Sequence, residues 1–259
     1  KKITDKTKAI MAVHFAGQSC KMDEIMEIAN EHGLMVIEDS AECIGGLFNE
    51  KKTGSFGIGC FSFYPTKNLT TGEGGMITTN DEILANKISA LTAHGIPKST
   101  FERDKQEKPW IRAAKYPGYN YRLCDILAAI GLVQLKKLDK MNESRRKHAQ
   151  YLNKGLENIE AIETPVELGK CKHVYQMYTI KLLSNHIDRT KFITKLRENG
   201  IGASVHFDPP VHLQPYYLSF GYKGKLPVTE KVSNSIVTLP MYPQLKKEEL
   251  DYMISSVEG

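Results

Sequence analysis

Two short apolar runs separated by an amphipathic segment restrict this chain more than any other feature. Ala9-Ile10-Met11-Ala12-Val13-His14 and Leu34-Met35-Val36-Ile37 are brief and continuous, as in strands covered on both faces. Between them Met22, Ile25, Met26 and Ala29 recur at helical spacing, and Gly33 supplies the stop. Strand, helix, strand in that order is the unit of a parallel sheet. The expected class is therefore α/β. The second strand delivers Glu38 and Asp39 at its C-terminal end, the edge at which open α/β sheets bind ligands.

A second stretch carries a candidate for chemistry. Phe61 and Phe63 alternate with Ser62 in the period of a half-buried strand, and Pro65 ends regular pairing by removing a ladder donor. Lys67 then falls just past a strand end, among Thr66, Thr70 and Thr71. Gly72, Gly74 and Gly75 follow, which let backbone pass close to a bound group before Met76-Ile77. A loop lysine beside glycines is by itself commonly a solvated charge. Asp39 at a neighbouring strand end gives it a second meaning. For Asp39 two readings stand side by side, a carboxylate capping the Ser40-Ala41 amides and a carboxylate serving a ligand.

These residues lie in a longer pattern: Val36-Ile37-Glu38-Asp39-Ser40-Ala41-Glu42, Gly54-Ser55-Phe56-Gly57, Phe61-Ser62-Phe63, Thr66 through Gly75, Tyr119-Asn120-Tyr121-Arg122, Ala128 through Leu132, and Leu239-Pro240-Met241-Tyr242-Pro243. Over nearly its whole length the chain resembles the DegT/DnrJ-type sugar aminotransferases, in particular their perosamine synthase-like branch. The resemblance implies the aspartate aminotransferase-like fold (fold type I), with pyridoxal 5'-phosphate (PLP) as cofactor. It implies a partial PLP-binding large domain with a mostly parallel sheet at 1–135. A linking helix and a small α+β C-terminal domain would occupy 136–259.

By the same resemblance Lys67 anchors the cofactor covalently and, once freed, shuttles a proton. Asp39 pairs with the pyridine nitrogen and keeps it protonated, since an opposite charge favours the charged form. Ser62 contacts the cofactor phosphate, Glu42 lies beside the ring, and Asn120 reaches the phosphate of a neighbouring subunit, which implies a homodimer. Locally, Ser62 also reads as a solvent-facing strand serine and Asn120 as a turn residue after Pro117-Gly118. His206 and Arg122 are candidate substrate contacts, His206 being equally readable as a structural histidine. The implied reaction moves an amino group from glutamate to the keto group of a 4-keto-6-deoxy nucleotide sugar. Lysine at position 67 argues against relatives with histidine there, which dehydrate sugars. A non-catalytic or truncated relative is the alternative: family members begin with a further N-terminal portion holding a phosphate-cradling turn, so the resemblance implies either a piece of a longer protein or a truncated relative.

Composition narrows the partners. The net charge of +5 is modest and the basic residues are dispersed, which disfavours nucleic acid. It suits a doubly negative substrate, and a solvated surface explains it as well. Five cysteines without CxxC spacing suggest reduced thiols, a cytoplasmic setting and no metal site. No stretch is long and apolar enough to span a bilayer, and no signal peptide leads the chain.

Further elements are expected along the chain. Gly75–Thr79 reads as a strand, Asn80-Asp81 as a cap for a helix through Leu91, and 96–119 as a long loop without periodicity. Helices follow from Asp125 to Leu135 and on to about Leu156. In the C-terminal part, Val174–Leu182 and Ala203–His206 read as strands, Asp188 caps a helix ending at Gly200, and a terminal helix lies near 246–256.

Overall fold

The structure, a computed structural model, describes residues 1–183 and 187–258. The chain divides into two compact units, Lys1–Phe15 with Ser19–Leu138, and Ala16–Gln18 with the residues from Asp139 onward.

In the first unit, β1 (Ala9–Val13), β2 (Met35–Asp39), β5 (Ile58–Ser62) and β6 (Gly75–Thr78) form one sheet in the order β1-β2-β5-β6. The pairs β1–β2 and β2–β5 are parallel, as the strand, helix, strand pattern requires, while β6 runs antiparallel to β5. Helix α1 (Met22–Glu31) makes the first crossover and buries Met22 and Ala29. A small hairpin, β3 (Leu47–Phe48) with β4 (Lys51–Lys52), precedes β5. Strands of two residues have no periodicity to read, and the sequence gives no sign of them.

Helix α2 (Glu82–Thr92) starts where expected, with the Asp81 carboxylate accepting the Leu84 amide at 3.0 Å. The segment 96–119 is not wholly irregular. It contains α3 (Thr100–Asp104), nucleated by a capping box in which Ser99 and Glu102 satisfy each other's amides. Helix α4 (Asp125–Leu135) follows, and none of its residues is buried although most are apolar. Strand β6 is likewise exposed along its whole length.

The second unit is built differently. Helix α5 (Leu138–Leu156) presents Ala149, Leu152 and Leu156 to a three-stranded antiparallel sheet, β10-β9-β7, made of β7 (Ile162–Glu163), β9 (Tyr178–Leu182) and β10 (Ile236–Leu239). The short β8 (Cys171–Lys172) precedes β9. Alternation in β9 buries Tyr178, Ile180 and Leu182. Helices α6 (Arg189–Glu198) and α9 (Lys247–Glu258) add Leu196, Leu250, Met253 and Val257 to the same core. Two short helices, α7 (Pro215–Ser219) and α8 (Pro227–Ser233), each begin with proline at the first turn, where its missing amide costs nothing.

Two expected strands are corrected. Val174–Met177 is not part of β9, because Tyr175 turns the chain with φ of 44° and stacks on His173 at 3.9 Å. Ala203–His206 contributes only an isolated bridge between Ser204 and Thr238.

Candidate active site

Asp39 ends β2 and stands in register with Val13 of β1 and Cys60 of β5. Its carboxylate accepts the Ala41 amide at 3.1 Å, so the capping reading of Asp39 is realised. One amide leaves most of a carboxylate's acceptor capacity open. Its charge is felt by a neighbour: burial pushes the Cys60 thiol above its ordinary value, and the Asp39 carboxylate adds to that push.

Lys67 lies five residues past the end of β5, in a loop anchored from below. Phe63 and Leu69 are buried together with Leu138, against Ile44 and Phe61. Each such side chain contributes about 2 kcal/mol of burial, so the loop is held at both shoulders of the lysine. Polar bonds fix its shape: the Lys67 amide donates to Tyr64 O at 3.0 Å, the Thr71 amide to Phe63 O at 3.0 Å, and the Thr70 hydroxyl to the same carbonyl at 2.9 Å. The hydroxyls that surround Lys67 in sequence are thus partly loop staples. The ammonium points to Glu42 Oε1 at 3.4 Å, with both side chains about 15 % exposed. A primary amine and a carboxylate are so brought together, half-buried; the carboxylate is Glu42, in the turn beyond β2, and not the strand-end Asp39.

Ser62 closes β5 opposite Gly75 of β6 and accepts the Tyr64 amide at 3.3 Å. Asn120 and Arg122 are exposed. Asn120 bridges to Ala93, its Oδ1 accepts Arg122 Nε at 3.2 Å, and the Arg122 guanidinium donates to His94 Nε2 at 3.2 Å. Among the described residues, Asn120 and Arg122 make no hydrogen bond to Lys67 or Asp39. His206 belongs to the second unit, where its Nδ1 meets Thr238 Oγ1 at 3.1 Å.

Residues 1–258 match the sequence profile of the DegT/DnrJ/EryC1/StrS aminotransferase family. The chain belongs to this family. Within it, the chain is 40% identical over 261 residues to the spore coat polysaccharide biosynthesis protein SpsC of Bacillus subtilis, covering 98% of this chain and 67% of that protein. Among solved structures it resembles Helicobacter pylori PseC, an aminotransferase involved in pseudaminic acid biosynthesis, with a TM-score of 0.91 and 28% identity over 99% of this chain and 67% of that one. Spr1654 of Streptococcus pneumoniae, solved in a PMP form, gives a TM-score of 0.91 at 25% identity, with 98% of this chain and 69% of that one covered. The fold is accordingly that of the fold type I sugar aminotransferases, with a mainly parallel sheet. The chain spans about two thirds of the length of the relatives it matches.

Two buried groups beside Asp39 take no role from the motifs of the sequence. Glu38, adjacent to Asp39, and His14, just past β1, are both fully buried and meet at 3.0 Å. The available signal was chemical: a carboxylate inside an apolar strand needs a partner, and a histidine ends the strand beside it.

All five cysteines are free thiols. Among the described residues no helix is long and apolar enough to cross a membrane, and no cluster of three His, Cys, Asp or Glu side chains could hold a metal ion.

Proposed function

We propose that this protein is a PLP-dependent aminotransferase that moves an amino group from glutamate to the keto group of a nucleotide-linked 4-keto-6-deoxy sugar. The observation that carries this is the half-buried Lys67 ammonium held 3.4 Å from Glu42 in the loop after β5. The donor set fits the cofactor: one primary amine on an anchored loop, and one carboxylate, Asp39, with acceptor capacity left. The names of the relatives, in polysaccharide and pseudaminic acid biosynthesis, support a sugar as acceptor. The PMP form of Spr1654 supports the cofactor.

PLP, when bound, supplies an electron sink that makes a proton on the substrate's amine-bearing carbon labile. The protein's part is to hold and to move protons. Lys67 would be the covalent anchor and, when released, the base that takes the proton from one carbon and returns it to the other. Glu42 orients the amine between these tasks. Asp39 would keep the ring nitrogen protonated through its negative charge. Ser62 would hold the phosphate, and Asn120 would extend to a second subunit in a homodimer, for which its exposure leaves it available. Arg122 and His206 are assigned to the substrate, and free thiols fit a reducing, cytoplasmic setting.

The test is an absorbance spectrum of the chain with PLP, compared with Lys67→Ala. A visible band that needs Lys67 and bleaches on adding glutamate is expected. A band that survives Lys67→Ala would overturn the anchor. Absence of any band in the parent would favour a non-catalytic relative of the family.

A further inference from the structure

Glu38 is a carboxylate with no access to solvent, and it is filled with donors. Oε1 accepts the amides of Phe56 and Gly57 at 2.7 and 2.8 Å, and Oε2 accepts the Gly54 amide at 2.7 Å and faces His14 Nε2 at 3.0 Å. Burial alone would raise its proton affinity; the His14 contact and the three amides outweigh it and hold Glu38 below the usual carboxylate range.

His14 is tied just as completely. Its Nδ1 accepts the Cys20 amide at 3.0 Å, and its own amide donates to the Asp39 carbonyl at 3.0 Å. Burial lowers the proton affinity of the ring, while contacts with Cys20 and the Glu38 carboxylate raise it. A second ring proton would nevertheless sit on Nδ1, facing the Cys20 N–H, and an amide nitrogen cannot accept it. With this backbone the ring therefore carries one proton, on Nε2, and donates it to Glu38.

The turn that Glu38 grips leaves no slack. Gly57 lies so close to β2 that a Cβ there would stand 2.2 Å from Val36 O, and Gly54, with φ of 79°, packs on the Phe61 ring. This turn leads into β5, whose Cys60 carbonyl accepts the Ser40 amide at 2.8 Å. Asp39 is thus flanked by main-chain bonds to His14 on one side and to β5 on the other. Both of those partners converge on one carboxylate.

We propose that Glu38 and His14 form a positioning pair that fixes the Asp39 end of β2 between β1 and β5, and so sets where the Asp39 carboxylate stands. Alternation puts the two carboxylates on opposite faces of the sheet, so Glu38 acts through backbone and not through contact with a ligand. An apolar side chain would fill the same space without the cost of burying charge, whereas four directed hydrogen bonds fix a distance. The proposal deepens the assignment of Asp39 to the ring nitrogen and rests on it.

Three substitutions test it, each with two readouts. Asp39→Asn is the reference. Glu38→Gln keeps the shape but turns one acceptor oxygen into a donor. His14→Asn keeps an acceptor for the Cys20 amide and removes the bond to Glu38, which guards against misfolding of the first variant. In the PLP-loaded chain, Asp39→Asn is expected to shift the pH midpoint of the visible band, and the other two to shift it the same way by less. In the unloaded chain, alkylation of Cys60, followed on its own peptide, is expected to quicken about threefold in Asp39→Asn, where the thiol loses the nearby charge, and by less in the other two, where that charge is displaced. Glu38→Gln and His14→Asn proteins that melt lower yet leave both the band and Cys60 as in the parent would overturn the proposal. An unshifted band in Asp39→Asn would instead remove the ring-nitrogen role, while Cys60 would still report whether Glu38 and His14 hold Asp39 in place.

Discussion

Each unit buries a histidine whose Nδ1 accepts a main-chain amide, and the two have different surroundings. His14, in the first unit, faces the Glu38 carboxylate. His173, in the second, accepts the Tyr175 amide at 2.9 Å and stacks flat on the Tyr175 ring. Burial pushes the proton affinity of His173 down to about 4; the nearby Glu167 charge opposes this and Arg146 adds to it. One ring donates into a network of directed bonds beside a strand end that carries candidate chemistry. The other is a neutral packing element. The difference extends to the units themselves: the first holds the ends of its strands with polar bonds to a buried carboxylate, and the second closes around a continuous apolar core. Precision at a site and stability of a fold are here obtained by different means.

The sharpest way to break this contrast is to remove the amine. Lys67→Ala should lower transamination by more than ~10³-fold, while the midpoint of denaturant unfolding stays close to that of the parent. A variant that still turned over would remove chemistry from the first unit. Next in size, Leu152→Ala should cost about 3 kcal/mol in chemical denaturation, because Leu152 is fully buried in the core of the second unit. A loss well under 1 kcal/mol would mean that apolar packing does not dominate there.

The two histidine environments also separate by pH. His173 has a folded value of about 4, so only the unfolded chain takes up its proton as pH falls from the ordinary histidine value toward 4. Stability present above that window is lost within it, by up to about 3 kcal/mol. The contribution of Glu38 is also present at high pH but is lost lower, as pH falls below the usual carboxylate range. Melting curves between pH 8 and 3 should therefore lose stability in two stages, and His173→Asn, which retains an acceptor for Tyr175, should flatten the first. The smallest effect is one the units share. Asp81→Ala and Asp188→Ala each remove a helix cap, Asp188 serving the amides of Thr190 and Lys191, and each should cost about 1 kcal/mol in the same assay. A large difference between them would show that helix starts, too, are treated differently in the two units.

The parts legible in the sequence were those with a repeating physical signal. The β1, α1, β2 unit followed from two apolar runs around a helical stripe, and Asp81 and Asp188 were readable as caps because capping needs a particular side chain at one place. The ends of β2 and β5 pointed to Asp39 and Lys67; the carboxylate that Lys67 meets is Glu42, which no strand period marks. The hairpin at 47–52 was too short to show a period. The strand expected from Val174 failed because β-forming residues there are diverted by the turn at Tyr175. The tie between His14 and Glu38 could not be read, since it joins residues 24 positions apart through a register that only the assembled sheet defines. Three of the donors that satisfy Glu38 are backbone amides, which leave no mark in a sequence at all.

The exposed strand β6 has a further consequence, for what the molecule would look like to deuterium. In an antiparallel pair every second residue turns its N–H toward the partner, and the rest turn theirs outward. Paired among the described residues with β5 on one side only, the four residues of β6 should split into two classes, with alternate amides exchanging slowly and the others almost at once. Exchange mapped residue by residue would thus draw the rim of the sheet as a two-beat pattern, and any polypeptide added along that rim would erase it.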